Sequence, residues 1–422
     1  MTSKKANQLF LTLILTHIVV SLILSVFGAY FKISIIVNFL LSEAILMVPA
    51  ILFLLFTRQQ PVRNEFVPMP QPALDEPAVM PQPAWNGSAP MSQPVPNGSA
   101  PMSQPVPNGS APMSQSVSNG SAAAAKPVCP TAFRRIKISS ILMIILGTFL
   151  LMPFVTVLNA LTLFFTDNAV AAMQGDVLSL PFPVMLFMIG ILGPFCEEFV
   201  FRGIIYGSYA YQDGRMQPRP STVGDNALQH SAGVWPILLS AFTFGLMHMN
   251  FNQTVYAFAI GVFLAFLVEA AGSLWASVIC HMFFNSYEVV LMYLAKAIGG
   301  SAYMESASRA AEELTNVQLQ AALAVYLLIA AVTTPIAVCC VAWIAKNEGR
   351  QGAVRALFRG QKGCKTAQVL QPQMMSRQQE PRLGMPMSGR QESQQRKPLV
   401  TVPLIVAVVL CLGVMSLEWF LF

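Results

Sequence analysis

Ile138–Phe165 reads ISSILMIILGTFLLMPFVTVLNALTLFF, with no charged residue anywhere in it. A helix that spans a bilayer needs about 20 mostly apolar residues, and this stretch supplies them without interruption. Comparable runs lie at 8–31, 33–56, 179–210, 235–250, 254–271, 273–298, 318–346 and 398–422. They are continuous rather than alternating, which disfavours a transmembrane β-barrel. The expected fold is therefore all-α, a polytopic transmembrane helical bundle of about nine spans.

Composition agrees with the runs. The chain has 422 residues, of which 55% are hydrophobic and only 10% charged. A soluble domain carries about a quarter charged residues, so this chain cannot clothe a water-facing surface of its own size. Both a soluble globular enzyme and a wholly disordered chain are excluded. The formal charge of +6 sits in a few loops, which suits membrane orientation and gives no reason to expect nucleic acid.

Lys and Arg gather on the cytoplasmic side of membrane proteins. Lys4 and Lys5 precede the first run, Arg58, Arg63, Lys126, Arg134, Arg135 and Lys137 follow the second, and Arg215 and Arg219 follow the fourth. Eleven more basic residues, from Lys346 to Lys397, follow the eighth. With nine spans all these loops fall on one side. The opposite loops, 166–178, 251–253 and 299–317, hold Arg309 as their single basic residue. The expectation is a multi-pass integral protein with a cytoplasmic N-terminus and the C-terminus on the opposite side. The first run is too long for a secretory signal core and has no small-residue cleavage site, so it is expected to remain as an anchor.

The chain divides into 1–56, two N-terminal helices; 57–133, a linker; 134–347, the main membrane domain; 348–397, a basic cytoplasmic loop; and 398–422, a last span. Within the linker the unit NGSAPMSQPVP starts at Asn86 and recurs from Asn97, Asn108 and, degenerately, Asn119. Pro, Gly and Ser in every copy can bury no core, so a flexible cytoplasmic segment is expected. The basic loop suits contact with anionic headgroups. The seven cysteines show no metal-binding spacing.

Ionisable side chains inside a span are expensive and mark functional sites by default. Here they are His17, Glu43, Glu197, Glu198, Arg202, His248, Glu269, His281 and Glu288, mostly between 197 and 288. On a helix Glu198 and Arg202 are four apart and can pair, whereas Glu197 is rotated by about 100°. A desolvated carboxylate without a local partner suits general acid–base work; a buried ion pair that merely fixes packing is the competing explanation. His248 follows Phe244 by four residues, and His281 precedes Asn285 by four, one above the other on a helix face. Each could equally be interhelical hydrogen-bonding glue. At about 1.5 Å per residue, Glu197, His248 and His281 lie roughly 21, 20 and 12 Å from the cytoplasmic ends of their runs, so the three can meet.

The order EExxxR, FxxxH, HxxxN, here Glu197-Glu198…Arg202, Phe244…His248 and His281…Asn285, resembles the signature of the CPBP intramembrane proteases. That group includes type II CAAX prenyl endopeptidases and Abi-like bacteriocin-processing or immunity proteins. Gly272-Ser273-Leu274-Trp275 is also similar to the family. The likeness covers roughly 138–298, with its motif core in 179–298, and leaves the first two runs, the repeat, the basic loop and the last run outside. It implies that 134–347 is an intramembrane protease domain hydrolysing a peptide bond of a membrane-associated protein or peptide. Glu197 would activate water with His248, His281 and Asn285 would stabilise the oxyanion, and Glu198 with Arg202 would support them. It leaves two chemistries open. Either Glu197, His248 and His281 hold a zinc ion, as two His and a carboxylate can, or a metal-free glutamate mechanism operates, since HExxH is absent.

Bland expectations cover the remainder. His17 and Glu43 would pair with each other or with polar backbone, and Glu269 would snorkel to the interface. Asn250 and Asn252 would line the outer end of a cavity, and His230 would be solvent-exposed. Cys196 and Cys280 each adjoin a motif residue but need not face it. Rivals are a non-catalytic scaffold or immunity protein of the same fold and a proton-coupled transporter. The latter usually has two related halves, and the motif region has no second copy.

Overall fold

The computed structural model describes residues 2–28, 30–31, 33–58, 133–166, 169–212, 234–312, 316–358 and 398–421. The repeat units, His230 and most of the basic loop lie outside the described residues.

Every element among the described residues is a helix. They are α1 (Ser3–Gly28), α2 (Ile35–Arg58), α3 (Ile138–Thr162), α4 (Ala169–Leu178), α5 (Phe182–Ala210), α6 (Val234–Met247), α7 (Phe251–Ala271), α8 (Leu274–Glu312), α9 (Asn316–Asn347), α10 (Gln351–Phe358) and α11 (Val402–Leu421). Seven of them, α1, α2, α3, α5, α7, the Leu274–Gly300 part of α8, and α9, are long and apolar enough to cross a bilayer; α6 and α11 are shorter apolar helices. The protein is thus an integral, multi-pass membrane protein, and about nine crossings suit its apolar helices. Two short helices fall where only loops were expected, α4 within 166–178 and α10 within 348–397.

Exposed leucine, valine, isoleucine and phenylalanine line the outer faces of α1, α2, α3, α9 and α11, the pattern of a surface made for hydrocarbon. Inward faces form two large cores. One joins α1, α2, α5, α6 and α11 around Phe10, Leu13, Leu46, Val200, Phe201, Phe244 and Cys411. The other joins α3, α7, α8 and α9 around Ile144, Phe263, Leu267, Phe284 and Ile344.

Buried polar clamps close one end of the bundle. Asn7 of α1 donates from Nδ2 to Leu399 O and Thr401 Oγ1, both at 2.8 Å, and accepts from Tyr209 Oη at 2.6 Å. The start of α1, the far end of α5 and the start of α11 therefore share that end. Glu269 does not snorkel: it is 1% exposed and accepts from Tyr206 Oη at 2.5 Å and from Arg350 at 3.4 Å. Gly272 turns the chain from α7 into α8 at φ 62°, a left-handed conformation that glycine adopts without strain, and Arg350 packs where its Cβ would stand.

α5 departs from α-helical geometry twice, with π-helical stretches at Leu186–Leu192 and Phe199–Tyr206. Such stretches concentrate at functional sites. Pro194 explains part of the first, because it has no N–H to offer Gly190 O four residues back or Ile189 O five residues back. Helix α8 satisfies both carbonyls: Asn285 Nδ2 donates to Ile189 O and Ser286 Oγ to Gly190 O, each at 3.2 Å.

Candidate active site

The polar residues singled out by spacing converge where α5, α6 and α8 meet. Glu198 and Arg202 are both fully buried, and Arg202 Nη1 donates to Glu198 Oε1 at 2.8 Å. The same oxygen lies 3.0 Å from His281 Nδ1. One carboxylate of α5 thus ties its own helix to α8. A buried charge of this kind is tolerated only when paired and hydrogen-bonded.

Glu197, one residue earlier, points elsewhere on the helix. Its side chain is 24% exposed, and Oε2 lies 3.7 Å from His281 Nε2, too long for a hydrogen bond. That buried oxygen has no hydrogen-bond partner among the described residues. With Nδ1 directed at Glu198, the His281 ring is fixed so that Nε2 and the free carboxylate oxygen of Glu197 face each other. An acceptor and an imidazole left over in this way can do general acid–base work.

His248 lies just beyond α6, in the turn to α7, rather than on the helix itself. The next residue, Met249, has φ 49°, unusual for a residue with a side chain and a form of strain that collects at functional sites. Glu197, His281 and Arg202 lie within electrostatic reach of His248. Phe244, the first residue of the FxxxH motif, organises these groups. Its ring meets both imidazoles edge-on, with centroids 5.3 Å from His248 and 5.7 Å from His281, and carries the Arg202 guanidinium 4.1 Å above its face. An arginine over an aromatic face gains from the ring quadrupole. The sequence offered only a spacing for Phe244, not this role.

Asn285 stands one turn from His281, but the two do not share a partner. His281 faces the α5 carboxylates, while Asn285 gives one amide hydrogen to the carbonyl left open by Pro194 and keeps the other. Asn250 caps α7 by accepting from Gln253 N at 3.0 Å. Asn252 is buried and donates to Asn159 Oδ1 and Thr162 Oγ1 of α3 at 2.8 and 2.7 Å. Asn250 thus starts α7, and Asn252 ties α7 to α3. Cys280 accepts from Thr148 Oγ1 of α3 at 3.0 Å.

Two residues set aside as bland in the sequence reach the cluster. Glu43 of α2 does not pair with His17; it lies within electrostatic reach of Cys196, Glu197 and His281. His17 of α1 lies within electrostatic reach of His248. Nothing in local spacing could have shown this, since both depend on how α1 and α2 pack on α5.

The zinc alternative can be tested on the donors. Glu197, His248 and His281 do not form a metal-holding set; among the described residues no three His, Cys, Asp or Glu side chains have the mutual spacing for one. His281 also commits Nδ1 to Glu198.

Comparison with known proteins reaches the same segment. Residues 179–287 match the family described as type II CAAX prenyl endopeptidase Rce1-like. A Bacillus subtilis (strain 168) protein named "Putative membrane peptidase YdiL" is 27% identical over 109 residues, which cover 26% of this chain and 37% of that protein. The chain thus matches well under half the length of this curated relative, and no solved structure matches it. The matched segment runs from the start of α5 into α8 and contains every residue of the three motifs. On that segment the chain is similar to the Rce1-like family of type II CAAX prenyl endopeptidases.

Proposed function

We propose that the protein is an intramembrane endopeptidase that cleaves a membrane-associated protein or peptide. The observation that carries this is the pairing of Glu197 Oε2 with His281 Nε2 across α5 and α8, beside His248, in a bilayer-embedded bundle. Glu197 accepts a proton from water, and His248 helps orient that water. The hydroxide so formed adds to the scissile carbonyl. His281, giving Nδ1–H to Glu198, donates Nε2–H to the developing oxyanion in its imidazolium form, and the remaining Asn285 N–H lies on the same helix face. A donor aimed at developing charge in a water-poor site contributes about 2.7–4 kcal/mol to such a step. Collapse of the tetrahedral species passes the proton from Glu197 to the leaving amine.

The test is a comparison of protein termini in membranes from cells carrying wild-type protein or Glu197→Ala. New termini that depend on Glu197 support the activity and identify substrates. Identical termini, with a phenotype that survives Glu197→Ala and His248→Ala together, would favour the non-catalytic scaffold.

The clamped end of the bundle, where Asn7, Tyr209 and Thr401 meet, is proposed to face the cytoplasm, as the basic residues flanking α1 and α11 demand. A protease-sensitive tag before Thr2 should be cut in inside-out vesicles and protected in right-side-out ones; the reverse pattern contradicts this orientation.

A further inference from the structure

Glu43 lies outside the segment shared with known peptidases, yet its carboxyl occupies a defined place in the site. Its Oε1 stands 3.2 Å from where a Cβ on Gly193 would be. Gly193 is four residues before Glu197, so the two share a face of α5 one turn apart. Side chains on a helix lean toward its N-terminus and cover the preceding turn. Glu197 therefore leans toward Gly193, which has no side chain and leaves a notch on that turn. Glu43 fills the notch, within electrostatic reach of Cys196 on the adjoining position.

We propose that Glu43 is a positioning residue. By filling the notch at Gly193 it denies Glu197 the folded-back rotamers and keeps the Glu197 carboxylate turned toward His281 and His248. The N-terminal helix pair is then part of the working site and more than an anchor. This inference rests on the endopeptidase reading of the same site. It depends on the shape of the Glu43 side chain and leaves its charge free to change.

The test uses the full chain in liposomes and a synthetic peptide spanning a Glu197-dependent cleavage site taken from the membrane comparison above. Glu43→Ala should lower kcat by about tenfold or more, since small misplacements of a reacting group are costly, with KM changed by less than about twofold. Glu43→Gln, which keeps the shape, should stay within about threefold of wild type. In the Glu43→Ala background, Gly193→Ala puts a methyl group into the empty notch and should recover part of the lost kcat, a coupling that a double-mutant cycle isolates. Thermal midpoints are measured for each variant, so that a general loss of folding is seen separately.

Wild-type kcat in a folded Glu43→Ala protein overturns the proposal, as does Glu43→Gln falling as far as Glu43→Ala, or no recovery in the double variant. Failure of the endopeptidase reading looks different: wild type and Glu197→Ala would then produce the same termini, before Glu43 is changed at all.

Discussion

His281 Nδ1 and Glu198 Oε1 stand 3.0 Å apart across α8 and α5, and the same oxygen accepts from Arg202 at 2.8 Å. A single buried carboxylate thus sets the orientation of an imidazole on another helix. Removing Arg202 leaves that carboxylate without its cation in a region that excludes water, which costs about 3–5 kcal/mol. Arg202→Ala should lower the thermal midpoint in detergent accordingly, while Lys4→Ala, on an exposed residue, should not. Equal midpoints for the two variants would remove the buried pair from the account.

Phe244 carries Arg202 on its face and both imidazoles at its edge. Phe244→Leu keeps most of the apolar bulk but removes the aromatic face, worth about 0.5–2 kcal/mol to a desolvated cation. Expected are a modest loss of stability and a loss of cleavage of about tenfold, because both His248 and His281 lose the wall that orients them. Unchanged cleavage by a folded Phe244→Leu protein would show that the ring is only filler.

The link from Asn285 to Ile189 O compensates for the missing N–H of Pro194. Asn285→Ala should therefore destabilise α5 against α8 by about 1–3 kcal/mol, the cost of an unsatisfied buried carbonyl. Pro194→Ala returns an N–H to the helix and should offset part of that loss when combined with Asn285→Ala. Strictly additive effects in thermal unfolding would show that Asn285 does not serve this carbonyl.

The metal-free form of the proposed mechanism, with Glu197 acting on water, predicts that no bound metal is needed. Cleavage of a Glu197-dependent peptide should persist after extensive chelation, and bound zinc, measured by emission spectroscopy, should be well below one per chain. Loss of activity on chelation with recovery on zinc addition would require a different arrangement of the donors.

Much of the bundle was legible because a bilayer makes simple demands: apolar runs at 138–165, 179–210 and 318–346 become α3, α5 and α9 within a few residues. The four-residue spacing of Glu198 and Arg202 carried their pairing for the same kind of reason, a helix bringing such positions together. What spacing could not carry was set by neighbours. The first π-helical stretch of α5 owes part of its form to Pro194 and is supported by donors on α8, some ninety residues later. The place of Glu43 depends on α2 docking at a glycine, and the role of Phe244 on three other elements. His248 lies off the helix because the α6–α7 connection is very short, and Met249 takes a left-handed conformation to make it. Glu269, with no partner nearby in sequence, finds Tyr206 and Arg350 only in the folded chain.

In the proposed reaction the free carboxylate of Glu197 and the imidazole of His248 together activate water within the bilayer. Its most direct test is the rate of peptide cleavage by purified, liposome-inserted Glu197→Ala and His248→Ala proteins beside wild type. Both variants should insert and fold like wild type but lose cleavage by at least about a hundredfold. Cleavage near the wild-type rate in both would contradict it.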